Sequence, residues 1–134
     1  MPVKLTIDHV GRTANAVAIG PIAVEDIREH LDGERVRGGL PYREFIDATR
    51  AKAAFGPADA RTIVEMLRTL GREKALGPTA VVVSDDVSYG MLRMLGILLE
   101  DIAEVRPFRA GEELEAQKWL AGAPIRGNEG GDAS

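Results

Sequence analysis

The sequence has no cysteine, no excess of basic residues and no long apolar run. Without cysteine the chain cannot form a disulfide, a thiolate metal site or a cysteine nucleophile. No apolar stretch approaches the ~18 residues that a membrane-spanning helix needs. The longest candidate, residues 87–99, is interrupted by Ser88, Gly90, Arg93 and Gly96, and the N-terminus lacks the apolar core of a signal peptide. We therefore predict a cytoplasmic protein with no membrane span.

Acidic residues outnumber basic ones, with 21 Asp and Glu against 17 Lys and Arg, which gives a formal net charge of −4. Proteins that bind nucleic acid need a basic patch to neutralise the phosphates. We therefore do not expect nucleic acid among the partners of this protein.

The length of the chain, 134 residues, is that of a single domain which can bury one hydrophobic core without disulfides. Residues 127–134 are mainly Gly, Asn, Glu and Asp, a composition that cannot build a core. We predict one domain over residues 1–123, followed by a disordered C-terminal tail over residues 124–134.

The C-terminal half of the chain reads as strand, helix, strand and helix. Residues 79–83 include three consecutive valines, which is typical of a strand covered on both faces. The helix predicted over residues 86–101 is apolar around most of its circumference, so it must be buried or contact a partner. Pro107 has no N–H for a sheet ladder, which places the last strand at an edge. This order implies two parallel strands joined by a helix, with a final helix against the sheet.

The N-terminal half begins with a predicted antiparallel hairpin, formed by residues 3–8 and 16–19. A short helix over residues 23–31, a strand over residues 42–48 and a helix that starts at Pro57 follow. The predicted order is therefore β-β-α-β-α-β-α-β-α. We predict an α/β fold with a single mixed sheet of about five strands, covered by amphipathic helices mainly on one face.

Three local sequences match a known pattern: F-I-D-A-T at 45–49, P-T-A-V-V-V-S-D-D-V-S-Y-G-M-L-R-M-L at 78–95 and V-R-P-F-R-A-G-E-E-L-E-A-Q-K-W-L at 105–120. With the order of elements, they resemble the SpoIIAA-like branch of the STAS superfamily, the sulfate-transporter and anti-sigma-factor-antagonist domains. The resemblance covers residues 3–121. It implies a mixed sheet with helices on one side and a protein that acts by binding.

The resemblance also implies where a phosphorylation switch would lie. Typical anti-sigma-factor antagonists carry a phosphorylatable Ser at the start of the helix after the third strand. That segment here is F-G-P-A-D-A at 55–60, and Thr62 is the first hydroxyl residue after it. The usual phosphoacceptor is therefore missing from this chain.

The most site-like feature is the polar corner between the strand over residues 79–83 and the next helix. Ser84, Asp85, Asp86 and Ser88 lie there, and ligands of open α/β sheets bind beyond the carboxyl ends of strands. The corner can hold an anion on its N–H groups, although two adjacent carboxylates repel a phosphate. The favoured interpretation is helix capping by Ser84 or Asp85.

Asp47 and Thr49 end the preceding strand and are expected beside this corner. Together with Asp85 and Asp86, Asp47 could form a carboxylate cluster that holds a divalent metal or divides acid and base roles. The favoured interpretation is a local turn in which Asp47 bonds nearby N–H groups. If a phosphorylation switch exists, Thr49, Ser84 or Ser88 is its acceptor.

The apolar helix over residues 86–101 supplies the candidates for contact with a partner, which are Tyr89, Met91, Arg93 and Met94. Met side chains adapt to varied shapes, so a group of Met66, Met91, Met94 and Leu98 forms either the packing between two helices or an adaptable binding surface. His9 and His30 have no ligand or nucleophile partner at a useful spacing, so both are expected on the surface.

These observations favour a non-catalytic regulatory or scaffold-like binding module that acts through protein–protein contacts, as a homodimer or with another protein. We predict no catalytic residue, no metal and no cofactor. One alternative is a carrier of a small apolar or lipid-like ligand, in a pocket lined by Met66, Met91, Leu95 and Leu98. A second alternative is a metal-dependent hydrolase that uses Asp47, Asp85 and Asp86.

Overall fold

The computed structural model describes residues 2–125, which form one mixed five-stranded sheet and four helices. The strands are β1 (Val3–Asp8), β2 (Thr13–Ile22), β3 (Arg43–Ala53), β4 (Thr79–Val83) and β5 (Val105–Arg109), and the helices are α1 (Val24–Val36), α2 (Pro57–Glu73), α3 (Asp86–Leu98) and α4 (Glu113–Gly122). Residues 126–134, most of the predicted tail, lie outside the described residues. The α/β class, the element order and the single sheet agree with the prediction.

The strands lie in the sheet in the order β1-β2-β3-β4-β5, and only the β1–β2 pair is antiparallel. Connections between neighbouring parallel strands are right-handed. Because β2, β3, β4 and β5 advance in one direction, α1, α2 and α3 all cover the same face. The predicted hairpin and the predicted parallel pair joined by a helix are both confirmed.

β4 is covered on both faces, as its run of valines predicted. Val81 and Val83 face the layer of α1, α2 and α3 and pack near Tyr89. Ala80 and Val82 face the other way, against α4. The sheet therefore has three helices on one face and a single helix on the other.

β5 lies at the edge of the described sheet, with Pro107 opposite Val81 of β4. The missing N–H of Pro107 is therefore tolerated there. None of the helices formed by residues 2–125 is long and apolar enough to cross a membrane.

Three elements extend beyond their predicted bounds, and α3 ends at Leu98 instead of residue 101. β2, predicted over residues 16–19, spans Thr13–Ile22 because it pairs with both β1 and β3. α1 continues through Gly33 to Val36 instead of stopping at residue 31, because this part of the helix packs on β1. A Cβ added at Gly33 would be in van der Waals contact with Leu5. Packing on β1 outweighs the ~1 kcal/mol that a helical glycine costs. β3 continues to Ala53 because it stays paired with β2 as far as Ile22.

A cavity of about 200 Å³ lies between the sheet and the layer of α1, α2 and α3. Its floor on the sheet includes four alanines of β2 and β3, which are Ala18, Ala48, Ala51 and Ala53, beside larger residues such as Ile46, Val81 and Val83. Its walls include apolar side chains of the three helices: Ile27, Leu31, Ile63, Leu67, Met91 and Leu95. Central parallel strands usually carry bulky β-branched residues. Alanine at these positions leaves space that such residues would fill.

We predict that enlarging the cavity floor is tolerated, whereas enlarging a packed alanine is not. Ala48→Val adds volume to the cavity side of the sheet. The free energy of unfolding, measured in urea, should therefore fall by less than about 0.5 kcal/mol or should rise. Ala80→Val, at a fully buried position under α4, should lose about 1–3 kcal/mol by overpacking. Equal losses in the two variants would show that the floor is packed as tightly as the opposite face.

Candidate functional site

Three ionisable side chains meet in the wall of the cavity. His30 and Glu34 come from α1 and Glu44 comes from β3. Nε2 of His30 lies 2.8 Å from Oε2 of Glu44 and 3.5 Å from Oε1 of Glu34. One ligating atom from each residue lies within 4.8 Å of the other two. We call these three residues the buried cluster.

The helical periodicity of α1 explains why His30 and Glu34 point inward. Residues at positions i, i+3, i+4 and i+7 share one face of a helix, and Ile27, His30, Leu31 and Glu34 have this spacing. Ile27 and Leu31 line the cavity, so His30 and Glu34 line it as well. The prediction that His30 lies on the surface is therefore wrong, because His30 shares the inward face of Ile27 and Leu31. Glu34 joins this face because the helix continues past residue 31.

Glu44 reaches the cluster through the alternation of β3. Alternate residues of a strand share a face, so Glu44 points the same way as Ile46 and Ala48, which line the cavity. The backbone N–H of Glu44 donates to the carbonyl oxygen of Pro78, at 2.9 Å. Gly77 leaves no room for a Cβ against the Tyr42 carbonyl, so this glycine allows the loop before β4 to approach the start of β3.

The buried cluster is almost completely removed from water. The exposed fractions of the His30, Glu34 and Glu44 side chains are 9%, 4% and 5%. Within residues 2–125, both ring nitrogens of His30 and Oε2 of Glu44 lack a partner with hydrogen-bond geometry. The 2.8 Å contact between Nε2 and Oε2 is therefore close without being an aligned hydrogen bond.

Burial shifts the pKa values of all three side chains. Desolvation raises the pKa of Glu44 to about 7, although a hydrogen bond with Glu34 acts in the opposite direction. Desolvation and then the charge of Glu44 raise the pKa of Glu34 well above its usual value. Desolvation lowers the pKa of His30, and the charge of Glu34 offsets part of this effect. The cluster therefore favours a neutral imidazole and at least one protonated carboxyl group.

The donor set of the cluster is one imidazole nitrogen and two carboxylate oxygens. Such a mixture can bind first-row divalent ions such as Zn²⁺ and Mn²⁺. Within residues 2–125, this cluster is the one group of three His, Asp or Glu side chains whose ligand atoms lie close enough to share an ion. The sequence pattern did not indicate any of these three residues as part of a site.

The polar corner before α3 is a helix cap. Asp85 is the N-cap residue of α3; its Oδ1 accepts the N–H of Ser88 at 2.8 Å, and its Oδ2 accepts the hydroxyl of Ser88 at 2.9 Å. The backbone bond from Ser88 is the main cause that lowers the pKa of Asp85. Ser88 is buried, and its oxygen accepts the N–H of Ala53, so this hydroxyl is not available to a kinase in the folded protein.

Asp86 and Ser84 tie the corner to neighbouring strands. Arg109 donates to Asp86 at 2.5 Å, and its guanidinium lies 4.1 Å from the ring centre of Tyr89. The hydroxyl of Ser84 donates to the backbone oxygen of Thr49. These contacts fix the start of α3 against the C-terminal half of β3 and the end of β5.

Asp47 bonds a nearby N–H, as the sequence favoured, but it does so at a register shift inside β3 and not in a turn after the strand. Its Oδ1 accepts the N–H of Thr49 at 3.0 Å and the hydroxyl of Thr49 at 2.7 Å, and these bonds lower the pKa of Asp47. In the part of the chain that the structure describes, Asp47, Asp85 and Asp86 do not converge into a metal-binding group. The carboxylate cluster suggested for a hydrolase is therefore not formed there.

The partner candidates on α3 lie in different environments. Met91 is buried in the cavity wall, Arg93 is exposed, and Tyr89 and Met94 are half-buried. Met66, Met91 and Met94 belong to the apolar cluster between α2 and α3, which confirms helix packing for these methionines. Of the pocket residues suggested above, Met91 and Leu95 line the cavity, whereas Met66 and Leu98 are not among its lining residues.

We predict that the free energy of unfolding falls with rising pH because of Glu44. Its folded pKa of about 7 exceeds the ordinary value of 4.5, so its contribution is fully present below pH 4.5 and is lost as the pH rises through 7. The expected loss is on the order of 3 kcal/mol. Urea unfolding in metal-free buffer should show this slope in the wild type and a flatter profile in Glu44→Gln.

The exposed residue Glu29, also on α1, provides the control for this experiment. Glu29→Gln should keep the profile of the wild type, and His30 titrates in all three proteins. If Glu44→Gln also kept the wild-type profile, the raised pKa of Glu44 would be refuted.

Comparison with known proteins supports the architecture. No protein-family model and no curated protein matches the sequence. The chain is similar in structure to an uncharacterized protein of the DUF3478 family with a SpoIIAA-like fold, from Shewanella loihica PV-4. The TM-score is 0.56 at 15% sequence identity, over 88% of this chain and 93% of that chain. The chain therefore has a SpoIIAA-like fold, in agreement with its sequence resemblance to the SpoIIAA-like branch of the STAS superfamily.

Proposed function

We propose that this protein is a non-catalytic binding module that holds a small apolar ligand between its sheet and the layer of α1, α2 and α3. The observation that carries this proposal is the cavity of about 200 Å³ with its alanine floor. An apolar cavity of about 150 Å³ is large enough to bind benzene. The space here therefore suits an apolar molecule somewhat larger than benzene.

The walls of the cavity match the usual composition of a small-molecule site. Such sites combine apolar walls, which provide affinity, with a few polar groups, which fix orientation. Apart from the buried cluster, the polar side chains of the lining are Tyr42, Lys52, Thr79 and Ser88. A ligand with an apolar body and one polar group suits this distribution, with the polar group directed to the cluster.

The polar residues outside the cavity support a binding role rather than catalysis. Asp47 is held by Thr49, Asp85 caps α3, and Asp86 pairs with Arg109. These contacts are structural: Asp47 and Asp85 each accept a backbone N–H as well as a hydroxyl, and Ser88 is buried. The SpoIIAA-like fold is compatible with a regulatory binding module.

We expect benzene, indole and 1-hexanol to bind in the cavity as probes. NMR titration should shift the methyl signals of Ala48 and Ala51 saturably, and each probe should raise the melting temperature, because a ligand that binds only the folded state stabilises it. Ala48→Leu should abolish both effects by filling the space. Ala58→Leu, at an exposed position of α2, should preserve them. Absence of saturable shifts in the folded wild type would contradict the proposal.

A second candidate function is contact with a protein partner, including a second copy of the chain, through α3. Val87 and Leu98 are spaced i and i+11, so they share one face of this helix, on which Met94 is half-buried against the cluster between α2 and α3. Val87 is 71% exposed and Leu98 is 45% exposed. Exposed apolar side chains in a row are typical of interaction surfaces.

For this candidate, light scattering at micromolar concentration should give the mass of a dimer for the wild type. Leu98→Glu should give a folded monomer, because it places a charge in the apolar row. Leu114→Glu, which changes a 69% exposed leucine on α4, serves as the matched control and should remain dimeric. A monomeric wild type would exclude self-association through α3.

A further inference from the structure

The buried cluster has binding capacity that the neighbouring residues do not use. The His30 and Glu44 side chains are more than nine-tenths buried, and within residues 2–125 their Nδ1, Nε2 and Oε2 atoms have no hydrogen-bond partner. Polar atoms buried without partners destabilise a fold. A bound species that contacts these unpaired atoms would remove part of that energetic cost.

The distances inside the cluster fit a shared metal ion. Nitrogen and oxygen ligands lie about 2.0–2.2 Å from Zn²⁺, so two adjacent ligands are about 2.8–3.1 Å apart in octahedral geometry and about 3.3–3.6 Å apart in tetrahedral geometry. The distances from Nε2 of His30 to the oxygens of Glu44 and Glu34, 2.8 and 3.5 Å, lie within these ranges. The close contact with Glu44 without hydrogen-bond alignment is expected of two atoms that share an ion rather than a proton.

The charge and chemistry of the cluster select a divalent transition metal. Two carboxylates that face each other in an apolar wall repel when both are ionised, and a divalent cation neutralises both. Mg²⁺ and Ca²⁺ prefer sites made of oxygen ligands, whereas the imidazole of His30 suits Zn²⁺ or Fe²⁺, and the two carboxylates also suit Mn²⁺. The ligands lie on a helix and a strand, which hold their geometry better than loops do.

We propose that His30, Glu34 and Glu44 form a binding site for one divalent transition-metal ion, with an open coordination position facing the cavity. Three protein ligands leave such a position free for water or for a donor atom of another molecule. Because all three residues line the cavity, the polar group of a cavity ligand is able to occupy that position. The metal site does not depend on the apolar ligand and goes beyond the proposed function.

Calorimetric titration with Zn²⁺ and Mn²⁺, with Mg²⁺ as a comparison, tests this proposal on the full chain after treatment with a chelator. We expect one equivalent of Zn²⁺ to bind and to raise the melting temperature. Co²⁺ should give the visible absorption of a site with one nitrogen and two carboxylate ligands. Glu34→Gln and Glu44→Gln keep the side-chain shape and should each weaken Zn²⁺ binding about tenfold or more, since even residues behind the ligands contribute factors of 10–100.

Two control variants separate the buried cluster from surface binding. His9 is exposed, so His9→Gln should bind Zn²⁺ like the wild type, as should Glu29→Gln. Circular dichroism and the melting temperature of the metal-free variants identify those that fold. If the cluster variants are unfolded, the ring ¹⁵N signals of His30 in the wild type must shift with one equivalent of Zn²⁺; signals that do not shift overturn the proposal.

Three further results would overturn it. They are the absence of Zn²⁺ binding by the wild type, an equal effect of His9→Gln and Glu44→Gln, and stabilisation of the cluster by hexylammonium instead of Zn²⁺. The last result would indicate a site for an organic cation. The test is distinct from that of the apolar cavity, because Ala48→Leu should retain Zn²⁺ and chelated wild-type protein should still bind benzene.

Discussion

The burial of two carboxyl groups and an imidazole in the wall of an apolar cavity is the constraint on which the rest of this structure depends. Ionised carboxylates are expensive to bury without a compensating charge, and here Glu34 and Glu44 face each other beside His30. A raised pKa offers one solution, since the site then keeps a proton. A bound cation offers another. In both cases the cluster holds positive charge that the surrounding apolar residues cannot supply.

The same arrangement connects the fold to binding. The parallel strands place α1, α2 and α3 over one face of the sheet, and alanines of β2 and β3 leave a gap beneath them. On the opposite face, α4 packs closely on Ala80 and Val82. One sheet therefore has a tightly packed face that supports the fold and an incompletely filled face that can receive a ligand. The buried cluster gives this second face its chemical character.

Much of the fold follows from local patterns in the sequence, because these patterns reflect the immediate surroundings of each strand. The valines of β4 predict its bounds and its burial on both faces, and Pro107 predicts the edge position of β5. The roles of Asp47 and Asp85 are also local, since each bonds a residue two or three positions away. Helix capping and short-range hydrogen bonds therefore explain the positions of most polar residues that the sequence offered as site candidates.

The buried cluster could not be recognised in the same way. Asp32 and Gly33 indicate the end of a helix, whereas packing on β1 extends α1 and carries Glu34 inward. Continuing the spacing of Ile27 and Leu31 by one turn would have placed His30 and Glu34 on the buried face. The cavity depends on the separation of helices and sheet, which no local pattern encodes.

A crystal structure of the zinc-loaded protein, with anomalous data at the zinc edge, is the decisive measurement for both the metal site and the cavity. We expect one peak bonded to His30, Glu34 and Glu44, beside a cavity that side chains leave open. No peak there, and a cavity filled by side chains, would contradict this expectation.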